Sequence, residues 1–326
     1  LGDLTLTTPF IHALRKAAPD AHITMLVDEK LKDVVLFNPY LDEVVTIDKK
    51  GRDNSILSLW ACSRHLSKLD FDVLINLHPN ERCSFIDAMT SVKLRTGTTH
   101  KIFKWFWDVF TPLDRSMHAA DMYLDVLQQL GVQDLSNNGL EIFPGEEHFL
   151  EAELFWQEQN ITDQDKLIGF NIGSAVPTKR WPPERFAEVA DIFAAKGYKT
   201  VFFGGPMDEE MVAEATGYMQ TRPIIATGHF AIGGLAAAMR RCCLIITNDS
   251  GPMHVAISQK VPIVAMYGPS NPKLYGPYTK DAVIVTAQPP CQGCADGMKH
   301  SCDDLQCMSR MTVEQVVAAA EKMLEK

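Results

Sequence analysis

The sequence lacks the features that would point to a membrane span or to nucleic acid. No apolar run approaches the length of about 18 residues that a membrane-spanning helix requires, and the first residues do not resemble a signal peptide. The 326 residues carry a formal net charge of -10, and neither half of the chain is basic. A nucleic-acid-binding protein usually has a basic patch or stripe. We therefore expect a soluble, cytoplasmic protein that does not bind nucleic acid.

Two common nucleotide-binding motifs are also missing. No G-x-G-x-x-G follows any of the predicted strands, and the P-loop pattern G-x-x-x-x-G-K-[ST] does not occur. These absences argue against a nicotinamide-dependent dehydrogenase and against a P-loop phosphotransferase. We expect the protein to work without a cofactor.

The sequence does contain a repeated alternation of apolar, β-branched runs with helical patterns. Strands that alternate with helices pair in parallel through helical crossovers, so each half predicts a doubly wound α/β sheet. Because an α/β domain normally begins with a strand, we expect one further strand before residue 1. The predicted strands cover residues 22–27, 43–47, 71–77, 166–172, 199–205, 224–226, 243–247 and 262–267.

A polar stretch rich in turn-forming residues separates the two halves at residues 136–147. We therefore predict two Rossmann-like domains, covering residues 1–150 and 151–326.

The turn Asn248-Asp249-Ser250-Gly251-Pro252-Met253-His254 joins a predicted strand to a predicted helix that starts near Met253. Asp249 or Ser250 is suited to cap that helix, and Pro252 suits its first turn. A helix start of this kind binds anions through its free amides and its dipole, so a phosphate-bearing ligand is the natural guest. The alternative is an ordinary capped helix without a ligand.

Other strand ends in the second half also carry polar or aromatic residues. Ligands of open α/β sheets bind beyond the carboxyl ends of the strands. We therefore expect the loops that carry Ser174 with Lys179, Asp208, Phe230 and Asp249 to converge on one crevice.

Four short signatures resemble the glycosyltransferases of family 9, the ADP-heptose:lipopolysaccharide heptosyltransferases. The resemblance implies the GT-B architecture, in which two doubly wound domains face each other across a cleft. It implies that residues 1–150 bind the acceptor, that residues 151–326 bind the nucleotide sugar, and that the last helix, near 313–324, returns to the first domain. The signatures are Gly2-Asp3-x-x-x-Thr7-x-Pro9, Thr178-Lys179-Arg180-Trp181-Pro182, Asn248-Asp249-Ser250-Gly251-x-x-His254 and Tyr267-Gly268-x-Ser270.

By the same resemblance, Asp3 is the catalytic base that takes the proton of the acceptor hydroxyl, and Lys179 meets the diphosphate. Asp3 is alternatively a helix cap and Lys179 a surface lysine. His254 bonds phosphate or ribose, or is simply buried between helices. The predicted nucleotide-sugar-binding residues are Ser174, Lys179, Asp208, Phe230, Asp249, Ser250, Gly251 and His254.

Four late cysteines form a cluster whose spacing is compatible with a structural zinc site, although free thiols are the other interpretation. Catalysis should not need them, and we expect no catalytic metal. The cysteines are Cys291, Cys294, Cys302 and Cys307.

The aromatic segment 101–110, with Trp105 and Trp107, is either a buried helix or an amphipathic flap that touches lipid or a lipid-bearing acceptor.

The resemblance to family 9 implies an inverting, metal-independent transfer of heptose from ADP-heptose to the inner core of lipopolysaccharide. The enzyme would work in the cytoplasm, in peripheral contact with the inner face of the inner membrane. Two alternatives stay open: a GT-B transferase that uses another nucleotide sugar, and a non-catalytic nucleotide-binding protein of the same fold.

Overall fold

The computed structural model describes residues 1–112, 114, 116–287, 302 and 305–325. Their contacts divide the chain into two compact units. The first unit is Pro9–Asn138, and the second unit combines Leu1–Thr8 with Gly139–Lys326. The chain passes from the first unit to the second after Asn138, twelve residues before the predicted domain boundary at residue 150. The first eight residues, which were predicted to belong to the first domain, pack with the second unit.

The first unit is built from parallel strands and helices. Its strands pair as two separate parallel sheets, in the orders β1-β2 and β3-β4-β5, and no described strand joins the two. After α1 (Gly2–Thr5), which packs with the second unit, the elements of the first unit are α2 (Thr8–Ala17), β1 (Thr24–Asp28), β2 (Glu43–Ile47), α3 (Ile56–Ser67), β3 (Val73–Asn76), α4 (Glu81–Met89), β4 (Leu94–Gly97), β5 (Val109–Phe110) and α5 (Ala119–Gln129).

The second unit contains a six-stranded, fully parallel sheet in the order β11-β10-β9-β6-β7-β8. Its elements are α6 (Glu146–Glu158), β6 (Leu167–Asn171), α7 (Pro183–Ala195), β7 (Lys199–Phe203), α8 (Glu209–Tyr218), β8 (Ile224–Ile225), α9 (Ile232–Met239), β9 (Cys242–Asn248), α10 (Gly251–Ser258), β10 (Ile263–Met266), α11 (Pro272–Tyr275), β11 (Ala282–Val285), α12 (Gln306–Ser309) and α13 (Val313–Leu324).

The central strands of this sheet are buried on both faces. Every residue of β6 is buried, and so is nearly all of β9, because helices cover the sheet on both sides. The core includes the stacked rings of Phe170 and Phe202, whose centroids are 5.2 Å apart.

The last helix, α13, packs on the sheet of the second unit. Val316, Ala320 and Met323 belong to the same core cluster as β6 and β9, and α13 contacts α7, β9, β10 and β11. The apolar stripe of α13 is therefore buried against its own sheet.

The α/β fold with parallel sheets agrees with the prediction. Among the residues that the structure describes, no helix is both long and apolar enough to cross a bilayer.

Candidate functional site

The strand order of the second unit reverses next to β6. The chain runs from β6 to β7 and β8 on one side, and then crosses back to place β9 on the other side of β6. Ligands of doubly wound sheets bind beyond the carboxyl ends of the strands at such a switch point. The candidate site therefore lies where β6 ends at Asn171 and β9 ends at Asn248.

Helix α10 begins two residues earlier than predicted, at Gly251, with Ser250 as the N-cap residue in an extended conformation. The Ser250 side chain makes no capping hydrogen bond. Instead its hydroxyl accepts a hydrogen bond from Asn171 Nδ2 at 2.7 Å. The backbone amides at the start of α10 are therefore not occupied by the Ser250 hydroxyl, and a phosphate-bearing ligand at this turn stays a prediction.

The two charged residues predicted from separate signatures contact each other. Lys179 Nζ lies 2.7 Å from Asp249 Oδ2, and their side chains are only 13% and 6% exposed. The hydroxyl of Ser270 also donates to Asp249 Oδ2. The buried carboxylate of Asp249 is therefore held by both an ammonium and a hydroxyl.

Tyr267 lies beside this pair and stays neutral. Its hydroxyl donates to the backbone oxygen of Tyr275 at 2.8 Å. Burial raises the pKa of Tyr267 far above its usual range, and the negative charge of Asp249 raises it further.

Hydrogen bonds tie the loop that carries Lys179 to the end of β9. Asn248 Oδ1 accepts from the backbone amide of Trp181 at 3.1 Å, while Asn248 Nδ2 donates to the backbone oxygen of Ile172 at 2.7 Å. Ser174 Oγ donates to the backbone oxygen of Asp249 at 3.3 Å, and the Arg180 guanidinium donates twice to the backbone oxygen of Ser174. These hydrogen bonds hold the loop so that the ammonium of Lys179 lies next to the turn at the start of α10.

Helix α1, which carries Asp3, packs against α10 within the second unit. A Cβ atom placed on Gly2 would lie 3.3 Å from Cδ2 of His254, so the two helices approach closely at that glycine. His254 is 4% exposed and lies against α1, whereas Asp3 is exposed. The structure thus brings the element with the predicted base beside the helix with the predicted phosphate site.

Asp208 and Phe230 occupy the loops after β7 and β8. Asp208 Oδ2 accepts from the amide of Gly205 at 2.9 Å, and its carboxylate fills the space that a side chain on Gly173 would need. Phe230 packs on Phe155, with ring centroids 5.0 Å apart. Asp208 therefore shapes the rim next to Ser174, while Phe230 packs against the rings of Phe155 and His229.

Two residues of the site were missed as functional residues in the sequence. Asn171 is 1% exposed and joins Thr247 and Ser250 through its Nδ2, and Ser270 is 2% exposed and holds Asp249. Both could have been noticed in the sequence, because Asn171 ends a predicted strand and Ser270 belongs to the Tyr267-Gly268-x-Ser270 signature. Only their partners in space show what they do.

The predicted cysteine site lies mostly outside the described residues. Cys291 and Cys294 are not among them, while Cys302 is half-buried and Cys307 is buried. Within the described ranges, no group of three or more histidine, cysteine or acidic residues is placed to hold a metal. The structural zinc site stays a prediction.

The two tryptophans of the aromatic segment 101–110 differ in exposure. Residues Lys101–Phe106 form a short 3-10 helix in which Trp105 is 94% exposed. Trp107 is buried instead, and its indole Nε1 donates to the backbone oxygen of Thr96 at 3.2 Å.

Comparison with known proteins gives the same class as the fold and the site. Residues 59–302 match the family model described as glycosyltransferase family 9 (heptosyltransferase). Lipopolysaccharide heptosyltransferase 2 of Escherichia coli strain K12 is 33% identical over 300 residues, covering 87% of this chain and 85% of that protein.

Two solved structures show how far the fold is shared. A glycosyl transferase of family 9 from Veillonella parvula is 53% identical, with a TM-score of 0.95 over 100% of this chain and 94% of that one. The E. coli heptosyltransferase WaaC, solved with ADP, has a TM-score of 0.75 at 17% identity and covers 99% of this chain and 96% of its own, which shows the fold alone.

The protein is a glycosyltransferase with a GT-B-like α/β fold. It belongs to glycosyltransferase family 9 (heptosyltransferase).

Proposed function

We propose that this enzyme transfers a heptose from ADP-heptose to the inner core of lipopolysaccharide, with inversion at the anomeric carbon and without a catalytic metal. The observation that carries the proposal is the Lys179–Asp249 pair at the start of α10, at the switch point of the sheet. It places a nearly buried ammonium where a nucleotide diphosphate would meet helix amides. Membership of a heptosyltransferase family supports the choice of donor.

The ammonium of Lys179 has three donors, so it can keep Asp249 and still bind a phosphate oxygen. The amide of Gly251 and the hydroxyl of Ser250 add donors on the same side as the α10 dipole. In this scheme the chain itself supplies the positive charge that stabilises ADP as it leaves. Asp249 positions the lysine and is also available to the hydroxyls of the sugar.

Asp3 serves as the base in the proposed mechanism. Its carboxylate takes the proton from the acceptor hydroxyl while that oxygen attacks the anomeric carbon and the bond to ADP breaks. Support comes from the packing of α1 on α10, which keeps an exposed carboxylate close to the proposed phosphate site. His254 then has a structural part, since it fills the space between these two helices.

The acceptor assignment and the cellular location stay proposals. The first unit is the proposed acceptor-binding part, and the exposed Trp105 with its neighbouring lysines supports a peripheral contact with the inner face of the inner membrane. Asp208 and Phe230 remain proposed contacts for the adenosine.

The donor site is tested by calorimetric titration with ADP and with ADP-heptose, in EDTA. We expect the parent to bind both ligands and Lys179→Ala to bind each at least about tenfold more weakly, since a hydrogen bond to a charged group contributes about 1.5–3 kcal/mol. Lys199→Ala, at the amino end of β7, is the matched control and should bind as the parent does.

Calorimetric titration with UDP- and GDP-sugars tests which nucleobase the donor carries. A parent protein that binds neither ADP nor ADP-heptose, or that prefers another nucleotide sugar, contradicts the proposed donor.

A further inference from the structure

Helix α3 of the first unit is apolar on two sides. Its inner side places Leu59 and Leu66 in a small core with Ile47 and Ile86. Its outer side begins with Ile56, Leu57 and Trp60, which are 74%, 78% and 52% exposed.

These three side chains share one surface of the helix. Residues four positions apart in a helix lie above one another, so Ile56 and Trp60 are neighbours, and Leu57 lies next to them. Arg64 follows one turn later, with its guanidinium carbon 5.7 Å from the centroid of the Trp60 ring. The row therefore passes from aliphatic to aromatic to basic along a single face.

Exposing these apolar side chains to water is energetically unfavourable. Scattered apolar residues on a surface are normal, but contiguous apolar patches mark interaction sites. Large exposed aliphatic side chains beside a tryptophan are not required for α3 to fold, because its inner side already packs in the core and Ser55 with Ser58 forms a capping box at its start.

The charge around α3 indicates what covers this patch. The whole chain is acidic, with a net charge of -10, yet residues 49–68 contain Asp53 as their single acidic residue. Lys49 and Arg52 form ion pairs with acidic residues within the first unit. The remaining basic residues of this stretch are exposed and form no ion pair in the part of the chain that the structure describes: Lys50, Arg64 and Lys68.

A second exposed patch lies on an element that shares a neighbour with α3. Helix α4 contacts both α3 and the 3-10 helix at Lys101–Phe106. In that turn Ile102 is 64% exposed and Trp105 is 94% exposed, and an exposed lysine directly precedes each of them. Apolar tips flanked by basic residues thus occur twice around α4.

We propose that the outer side of α3 docks the first unit on an anionic lipid bilayer. The docking face consists of Ile56, Leu57 and Trp60, which enter the boundary between headgroups and acyl chains, and of Lys50, Arg64 and Lys68, which meet lipid phosphates. This combination of an apolar row with Lys and Arg beside it is how interfacial helices bind membranes. An acidic protein surface would not attract the membrane without this local positive charge.

The inference rests on the proposed peripheral location of the enzyme and not on its donor site. Binding of ADP in the second unit requires no lipid, so a failure of docking and a failure of the proposed donor are separate results. Docking would hold the enzyme at the surface that carries a lipid-anchored acceptor.

The test is sedimentation of the full chain with vesicles of phosphatidylethanolamine and phosphatidylglycerol, against vesicles of phosphatidylcholine alone. We expect binding to the anionic vesicles that weakens with salt, and little binding to the neutral ones. The variant Ile56→Gln/Leu57→Gln/Trp60→Gln should bind the anionic vesicles at least about tenfold more weakly, because each buried methylene contributes to partitioning. Lys50→Gln/Arg64→Gln/Lys68→Gln should lose most of the preference for anionic lipid.

The matched control is Leu150→Gln/Leu154→Gln, which removes two apolar side chains, 57% and 50% exposed, from α6 of the second unit. This control should bind vesicles as the parent does. Trp60→Phe keeps the apolar character of the face, and supplies a second measurement that does not depend on the triple variant folding. In the parent, brominated anionic lipid should quench a part of the tryptophan emission that is absent in Trp60→Phe.

Equal vesicle binding by the parent and by the triple glutamine variant would overturn the proposal. Loss that appears only in an Ile102→Gln/Trp105→Gln variant would also overturn it, by moving the contact to the 3-10 helix. A parent that forms a dimer, fails to bind vesicles and becomes monomeric in the triple variant would show that a second copy of this chain covers the face.

Discussion

At the scale of single residues, the two charges predicted as ligands are already partners of each other. Lys179 and Asp249 were each assigned from a separate signature, and the structure joins them at 2.7 Å. The pair keeps the ammonium from being buried without a counter-charge, which would be strongly unfavourable. Asp249 thus holds the ammonium of Lys179 in place, and the hydroxyl of Ser270 holds Asp249 in turn.

Replacement of Asp3 separates a transferase from a non-catalytic protein of the same fold. We expect Asp3→Asn to slow transfer by about 10²–10⁴-fold, because a positioned base contributes that much, and to leave ADP affinity unchanged. The measurement is release of ADP with a lipopolysaccharide acceptor, and calorimetry reports the affinity. Asp20→Asn, another exposed acid near the start of the chain, should behave as the parent does. An Asp3→Asn enzyme with full activity would remove Asp3 from the mechanism.

At the scale of elements, most strands were predicted from the sequence, and three short ones were missed. Strands β6, β7 and β9 lie within or next to their predicted ranges, because they are buried on both faces and read as continuous apolar runs. Strands β4, β5 and β11 were missed, since they are short and only partly buried. Their placement comes from pairing: β4 pairs with β3, β5 pairs with β4, and β11 pairs with β10.

Asp87 of α4 is buried against Asn76 of β3, and its ionisation makes the stability of the first unit depend on pH. Burial raises the pKa of Asp87 to about 8, against the opposing effects of Arg95 and of the hydrogen bond from Asn76 Nδ2 at 2.5 Å. The unfolded chain loses this proton near pH 4, whereas the folded unit keeps it up to about pH 8. The free energy of unfolding of the first unit should therefore fall as pH rises through this window.

Asp87→Asn cannot ionise and should flatten that dependence. We expect the variant to gain at least about 1 kcal/mol over the parent at pH 8 relative to pH 5. Urea unfolding at both values, followed by the emission of Trp60 and Trp107, measures it. Asp72→Asn, whose side chain is 73% exposed, is the control and should keep the slope of the parent. An Asp87→Asn variant with the same slope would show that Asp87 is ionised in the fold.

At the scale of the whole molecule, the residues of the proposed donor site and the proposed base both belong to the second unit. The first eight residues pack with Gly139–Lys326, so a boundary drawn by sequence position alone separates Asp3 from its neighbours. The first unit is left with the docking face and the proposed acceptor contacts. Binding of the donor should therefore be felt mainly in one unit.

Amide hydrogen exchange tests this division. At an ADP concentration about 100 times the dissociation constant, binding adds about 2.7 kcal/mol to the stability of the unit that binds it. We expect the slowed amides to lie in the second unit, centred on residues 171–181 and 247–255, and the Lys179→Ala variant to show little slowing at the same concentration. Slowed exchange centred in Pro9–Asn138 would show that the nucleotide binds the first unit and would contradict the proposed site.

The sequence by itself determined the fold class, the strand-to-helix turn at Asn248–Ser250 and the family, because these depend on local periodicity and on short motifs. It also named Lys179 and Asp249 as candidate ligands. Only the tertiary structure decided that these two residues pair, that Asn171 and Ser270 support them, and that α1 and α13 belong to the second unit. The physical reason is that such contacts join residues tens to hundreds of positions apart, and no local pattern specifies which distant side chains will meet.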